Sequence, residues 1–158
     1  MNDIRSLSLT MKKLLTQIFT VCAVLTLGAS AAFAAEGWGD NYEKAAAQAK
    51  AENKLLLLDF TGSDWCGWCI KLNKEVFSQP EFKEYAAKNL VLMEVDFPQT
   101  KPQSSAIKAQ NARLQTKYKI EGYPTIVVLN PAGKKVGELG YQAGGPKAFI
   151  AALNQIKK

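Results

Sequence analysis

The sequence predicts an α/β fold built on a mixed sheet, and three observations lead to it. Apolar runs of strand length alternate with stretches of helical pattern, in the order α β α β α β β α. Strands separated by helices are expected to pair in parallel. The last two runs, Thr125–Leu129 and Lys135–Tyr141, flank the turn signal Asn130-Pro131-Ala132-Gly133 and form a hairpin that adds an antiparallel edge.

The elements follow in order. Glu36-Gly37-Trp38-Gly39 reads as a short linker. Asp40 and Glu43 have capping-box spacing, and the alanine-rich stretch Tyr42–Glu52 follows as a helix. Leu55–Phe60 is too apolar to have a wet face and is expected as a buried strand. A helix over Cys66–Phe77 places Cys69, Leu72 and Val76 on one stripe with Phe77 beside it. Ser78 and Glu81 repeat the capping-box spacing, and Pro80 is tolerated in a first turn, so a second helical piece is expected to about Lys88. Leu90–Phe97 is the next strand, and Pro98–Ser105 is a polar loop with two prolines. Ala106–Tyr118 is a helix with Ile107, Ala109, Leu114 and Tyr118 as inward positions. Gly145-Pro146 opens a last helix whose Phe149, Ile150, Leu153 and Ile156 face the core.

The N-terminal segment has the pattern of an export signal. Arg5, Lys12 and Lys13 form a basic start, Leu14–Ala35 carries no charge, and Ala32-Phe33-Ala34 fits a small-x-small cleavage site. The expected division is a signal peptide over residues 1–34 and one domain over residues 35–158. The other reading is an uncleaved anchor, since the uncharged stretch is long enough to span a bilayer. The protein is then periplasmic or secreted, or membrane-anchored.

Composition excludes several activities. The 158-residue chain has no histidine, which removes Ser-His and Cys-His catalysis and every histidine-containing metal site. Its net charge is +6, but no basic run exceeds two residues, so a nucleic-acid partner is not expected. Of three cysteines, Cys22 lies in the leading segment, leaving Cys66 and Cys69. Zinc would need two more ligands from carboxylates alone, and no metal is expected.

Asp64-Trp65-Cys66-Gly67-Trp68-Cys69 carries the chemistry. Cys66 stands where an apolar strand gives way to a helix. A thiolate there faces unpaired backbone N–H groups and the positive end of the helix dipole, which lowers its pKa. Cys69 lies about one turn further on, within reach of a disulfide. Closing so short a loop removes little unfolded-state entropy, so stability is a poor reason for the bond. The pair reads as a reversible dithiol/disulfide site.

Three pieces in order resemble the thioredoxin superfamily: Leu58-Asp59-Phe60 on a strand, Trp65-Cys66-Gly67-Trp68-Cys69 at the next helix, and Gly122-Tyr123-Pro124-Thr125 before a later strand. The resemblance extends over nearly all of residues 35–158. It is nearest to exported thioredoxin-like proteins and to the C-terminal domain of the bacterial transmembrane thiol–disulfide interchange protein, where Glu75-Val76-Phe77-Ser78 and a second helical piece also fit. It implies the thioredoxin fold, a central mixed sheet flanked by helices on both faces. It implies Cys66 as attacking and Cys69 as resolving cysteine, a cis bond before Pro124, and a Tyr123 backbone that binds an extended substrate segment. Asp59 would match the buried aspartate that shuttles a proton to the resolving cysteine. A carboxylate ending an apolar strand should have a raised pKa, which suits that work.

The chain departs from patterns common in the family in four places, two of them loop lengths compared with thioredoxin and one, the absent histidine, a contrast with strongly oxidising members. Thr61-Gly62-Ser63-Asp64 is one residue longer, Trp68 stands where proline is usual, no histidine lies between the cysteines, and the Pro98–Ser105 loop is longer. Gly67 leaves the backbone open, while Trp65 and Trp68 offer flat apolar surface for a substrate or partner. Lys71 and Lys74 could support thiolate character or be solvated surface. The implied function is thiol–disulfide exchange with protein disulfides, as a reductase or isomerase in the cell envelope, with no cofactor beyond the redox-active disulfide. In an oxidising compartment a reductase needs a donor, naturally a membrane electron donor. The alternatives are net oxidation, or a holdase for unfolded segments in which redox is secondary.

Overall fold

Residues 37–156 of the chain are described in a computed structural model. The elements are β1 Trp38–Gly39, α1 Tyr42–Glu52, β2 Leu55–Thr61, α2 Gly67–Leu72, a π-helical turn Asn73–Phe77, α3 Pro80–Asn89, β3 Leu90–Asp96, α4 Ser105–Tyr118, β4 Thr125–Leu129, β5 Lys135–Leu139 and α5 Gly145–Ile156. The strands make one sheet in the order β1-β3-β2-β4-β5. β3 runs parallel to β1 and β2, and β4 runs antiparallel to β2 and β5.

Alternation along the strands divides the core in two. Leu55 and Leu57, with Leu90, Leu92, Ile126 and Val128, meet Leu72, Phe82, Phe149 and Leu153 on the face covered by α2, α3 and α5. Leu56, Leu58 and Phe60, with Met93 and Val127, meet Ala45, Ala49, Leu114 and Tyr118 from α1 and α4 on the other. All seven residues of β2 are buried, as a strand covered on both faces requires. On the first face, Phe149 stands edge-on to Phe77 and Phe82, with ring centroids 5.5 and 6.0 Å away.

Several expectations need correction. Trp38–Gly39 is not linker but a two-residue strand, in register with Leu92 and Met93. The first helix is capped by Asn41 rather than Asp40; its Oδ1 accepts from Lys44 N at 2.9 Å. The Ser78–Glu81 capping box does not form. Gln79 is the cap without a side-chain bond, and the Ser78 hydroxyl donates to Asn73 Oδ1 instead. The motif helix does not run as one α-helix to Phe77 but widens to a π turn after Leu72, in which Val76 and Phe77 are both buried. On α4, Ala109 is exposed and Ile107 half-buried. The inward position is Asn111, whose Nδ2 donates to the Asp96 carbonyl at 2.9 Å. Finally, β2 and β4 are antiparallel although helix α4 lies between β3 and β4. Spacing by a helix does not determine direction when the chain crosses to the far side of the central strand.

Phe149→Ala should destabilise the domain by about 3–5 kcal/mol, because it removes a ring from a fully packed aromatic cluster. A lowered urea midpoint with an unchanged m-value is the expected readout.

Candidate active site

Cys66 is the N-cap of α2, with extended backbone at φ −82° and ψ 104°. Its Sγ accepts a hydrogen bond from Cys69 N at 3.2 Å. The two sulfurs are joined in a disulfide, with Cα atoms 5.2 Å apart. Cys66 is 7% exposed and Cys69 4%, so both cysteines of the oxidised pair are buried.

Strand parity places Asp59 on the same face as Leu55 and Leu57, beneath α2. It is buried, and its Oδ1 has no hydrogen-bond partner among the described residues. A cavity of about 540 Å³ is lined by Asp59 and Cys69 together with Thr61, Lys74, Glu94 and Lys101. The parallel register sets Glu94 directly beside Asp59. Desolvation first, then the negative potential of Glu94 and Asp96, pushes the Asp59 carboxyl up to about 8.

The two motif tryptophans serve different sides of the pair. Trp65 Nε1 donates to the Phe97 carbonyl at 2.8 Å, and its ring meets Tyr123 edge-on at 5.9 Å. Tyr123 also packs on Phe97 at 5.3 Å and accepts from Gln115 Nε2 through its hydroxyl at 2.7 Å. The Tyr123–Pro124 bond is cis. Trp65 thus brings the segment before β4 beside the cysteine pair. Trp68 instead packs on Tyr141 at 5.0 Å, and Lys71 Nζ lies 5.1 Å from both ring centroids. Both indoles are largely exposed, at 43% and 57%. A Cβ at Gly67 would meet nothing within 4 Å, so the backbone between the cysteines is open.

Sequence reading missed Glu94 and Tyr141. Alternation along Leu90–Asp96 already places Glu94 on the face of Leu90 and Leu92, a charge within an apolar strand. Tyr141 carried no such signal; its hydroxyl donates to Glu75 Oε2 at 2.7 Å across 66 positions of chain. Among the described residues no group of three His, Cys, Asp or Glu side chains could hold a metal ion.

A CxxC disulfide capping a helix over a buried carboxyl, on a β1-β3-β2-β4-β5 sheet, defines a thiol–disulfide oxidoreductase of thioredoxin fold. The family model for the thioredoxin-like domain matches residues 42–157, and the chain belongs to that family. Disulfide bond reductase DsbH of Chlamydia pneumoniae is 35% identical over 119 residues, spanning 75% of this chain and 72% of the relative. The solved structure of a DsbH oxidoreductase matches with a TM-score of 0.72 at 34% identity, covering 83% of this chain and 92% of that one. The oxidised C-terminal domain of DsbD from Neisseria meningitidis shares the fold, with a TM-score of 0.52 at 21% identity over 72% of this chain and 90% of that one.

The buried acid makes a prediction about pH. Its folded-state pKa of about 8 lies above the ordinary 3.8, so the folded chain holds this proton more tightly than the unfolded chain. The stabilising contribution is fully present below pH 3.8 and is lost as pH rises through about 8. Relative to Asp59→Asn, the wild type should therefore lose stability across that window and no further above it. Urea midpoints of both proteins over the pH series measure this; a constant difference would mean that Asp59 ionises as an ordinary surface carboxylate.

Proposed function

We propose that the chain is an exported thiol–disulfide reductase or isomerase that acts on protein disulfides in the cell envelope. The observation that carries this reading is that Cys69, joined to Cys66 in a disulfide, lines one cavity with the buried Asp59, whose Oδ1 has no hydrogen-bond partner among the described residues. In the reduced protein the Cys66 thiolate attacks one sulfur of a substrate disulfide. The other sulfur leaves as a thiolate and takes a proton, and a mixed disulfide remains on Cys66. Asp59, as carboxylate, accepts the Cys69 proton. The Cys69 thiolate then attacks Cys66 Sγ and releases the second substrate thiol. The substrate gains two electrons and two protons, and the pair ends as the disulfide. A carboxyl pushed up to about 8 suits this exchange, because it can hold or give up a proton near neutral pH.

Trp65, Gly67, Trp68, Tyr123 and Pro124 form the surface on which the substrate lies. The reductive direction is supported by the name of the DsbH relative. Continued reduction in an oxidising compartment calls for a donor, and a membrane thiol donor is the natural one. Export rests on the signal pattern over residues 1–34, which lie outside the described residues. No helix among the described residues is long and apolar enough to cross a membrane. The exposed Trp65, Trp68 and Ile70 also favour a second reading, retention of unfolded segments, which a Cys66/Cys69 double replacement would leave active.

Cys69→Ala should trap covalent substrate complexes on non-reducing gels, since nothing remains to resolve the mixed disulfide. Cys66→Ala should trap few and lose insulin reduction. Equal trapping by both variants would reverse or dissolve the two roles. Mass analysis of the exported protein should find its N-terminus at or near Ala35; a full-length chain in the membrane fraction would show an anchor.

A further inference from the structure

The two loops that read in the sequence as longer than thioredoxin's lie against each other. One is Thr61–Asp64, the approach to the cysteines; the other is the proline-containing loop that follows β3. Asp64 accepts four hydrogen bonds from that loop. Its Oδ1 takes Gln99 N at 3.0 Å, and its Oδ2 takes Thr100 N at 2.7 Å, Thr100 Oγ1 at 2.6 Å and Lys101 N at 3.1 Å. Three successive backbone N–H groups converging on one carboxylate form an anion nest. Here the anion is supplied by the chain itself. These donors hold the Asp64 carboxyl well below the usual carboxylate range.

The seam continues on either side. Ser63 N and Oγ donate to the two Asp96 carboxylate oxygens at 2.9 and 2.6 Å. Lys101 Nζ donates to Ser63 Oγ at 2.9 Å, and Phe97 N donates to the Thr61 carbonyl at 2.9 Å. Trp65 Nε1 then reaches the Phe97 carbonyl. Residues 61–65 are thereby stitched to residues 96–101 immediately before Cys66. The stitched loop bears Phe97, which packs on Tyr123, which in turn meets Trp65. Phe97, Tyr123 and Trp65 make one aromatic wall beside the disulfide. Trp68, on the other side, has no such support from this loop.

We propose that Asp64 is a positioning residue for protein substrates: it locks the loop after β3 against the cysteine approach and so sets the Trp65–Phe97–Tyr123 wall on which the polypeptide flanking a target disulfide docks. This rests on the oxidoreductase reading above. A small disulfide reaches the sulfurs without using the wall. A protein segment must lie along it, and loses affinity if the wall has to be ordered during binding.

The test compares the full chain with Asp64→Ala, Asp64→Asn and Thr100→Val, using insulin as protein disulfide and DTNB as small disulfide. Each protein is reduced beforehand and freed of reductant, so that the Cys66/Cys69 dithiol supplies the two electrons of a single turnover. KM and kcat are read as the half-saturating concentration and the limiting rate. Asp64→Ala should raise KM for insulin about tenfold with kcat little changed, the equivalent of about 1.4 kcal/mol of lost pre-organisation. The rise for DTNB should be several-fold smaller. Asp64→Asn keeps one acceptor oxygen and Thr100→Val removes one of the four bonds, so both should fall between wild type and alanine; they also carry the test if the alanine variant folds poorly. Equal losses on both substrates, or a lowered melting temperature with no KM split, would overturn the inference and leave the seam a fold staple. Absence of wild-type turnover on either substrate would overturn the oxidoreductase reading, and this inference with it.

Discussion

The geometry of the site depends on one constraint: β2 is the central strand, covered by helices on both faces, and it carries a carboxyl. A two-sided strand has no wet face on which to place a charge. Residue 59 falls on the face that α2 covers, so the acid is delivered beneath Cys69. Its strand neighbours differ in kind, with Glu94 beside it on β3 and Ile126 beside it on β4. One flank supplies negative potential and the other supplies no polar group, and both disfavour the ionised form. A proton is thereby kept on a carboxyl that lines the same cavity as Cys69.

Around that acid, the exposed chemistry is held by contacts distant in sequence. The π turn Asn73–Phe77 allows two adjacent residues, Val76 and Phe77, to face the core. Glu75 remains free to receive the Tyr141 hydroxyl, and Tyr141 in turn supports the Trp68 ring. Trp65 is fastened more firmly, by its indole N–H and by the Tyr123 edge. The result is a disulfide between an indole fastened to the loop after β3 and one that rests on Tyr141, two differently held surfaces within four residues of chain.

Much of this was legible in the sequence, for reasons that differ by element. Leu55–Phe60 and Leu90–Phe97 announce themselves as buried strands because their apolar content is local information. Cys66 and Cys69 announce their chemistry because no histidine or third cysteine near them offers another use. The direction of β4 was not legible, since a helix between two strands says nothing about which side of the sheet the chain returns to. Nor was the partner of Trp38, because a two-residue strand has no periodicity to detect. Asp40 and Asn41 are equally suited to cap a helix, and only the backbone decides between them. Glu94 was visible by parity, but its effect on Asp59 required the register. The Pro98–Ser105 loop had no assigned chemistry because three of its four bonds to Asp64 come from backbone N–H groups, which every sequence has. The signal pattern of residues 1–34 lies outside the described structure.

One small contact limits how such a chain can change over time. The Trp65 indole lies so close over Gly62 that a Cβ built there would stand 2.4 Å from a ring carbon. While the tryptophan holds its pose, position 62 is closed to every residue but glycine. The reverse does not hold: a smaller residue at 65 would first open the space. The two positions therefore form an ordered lock in mutational history, in which 65 must yield before 62 can drift. Among relatives that retain an indole in this pose, the glycine should be inherited with it.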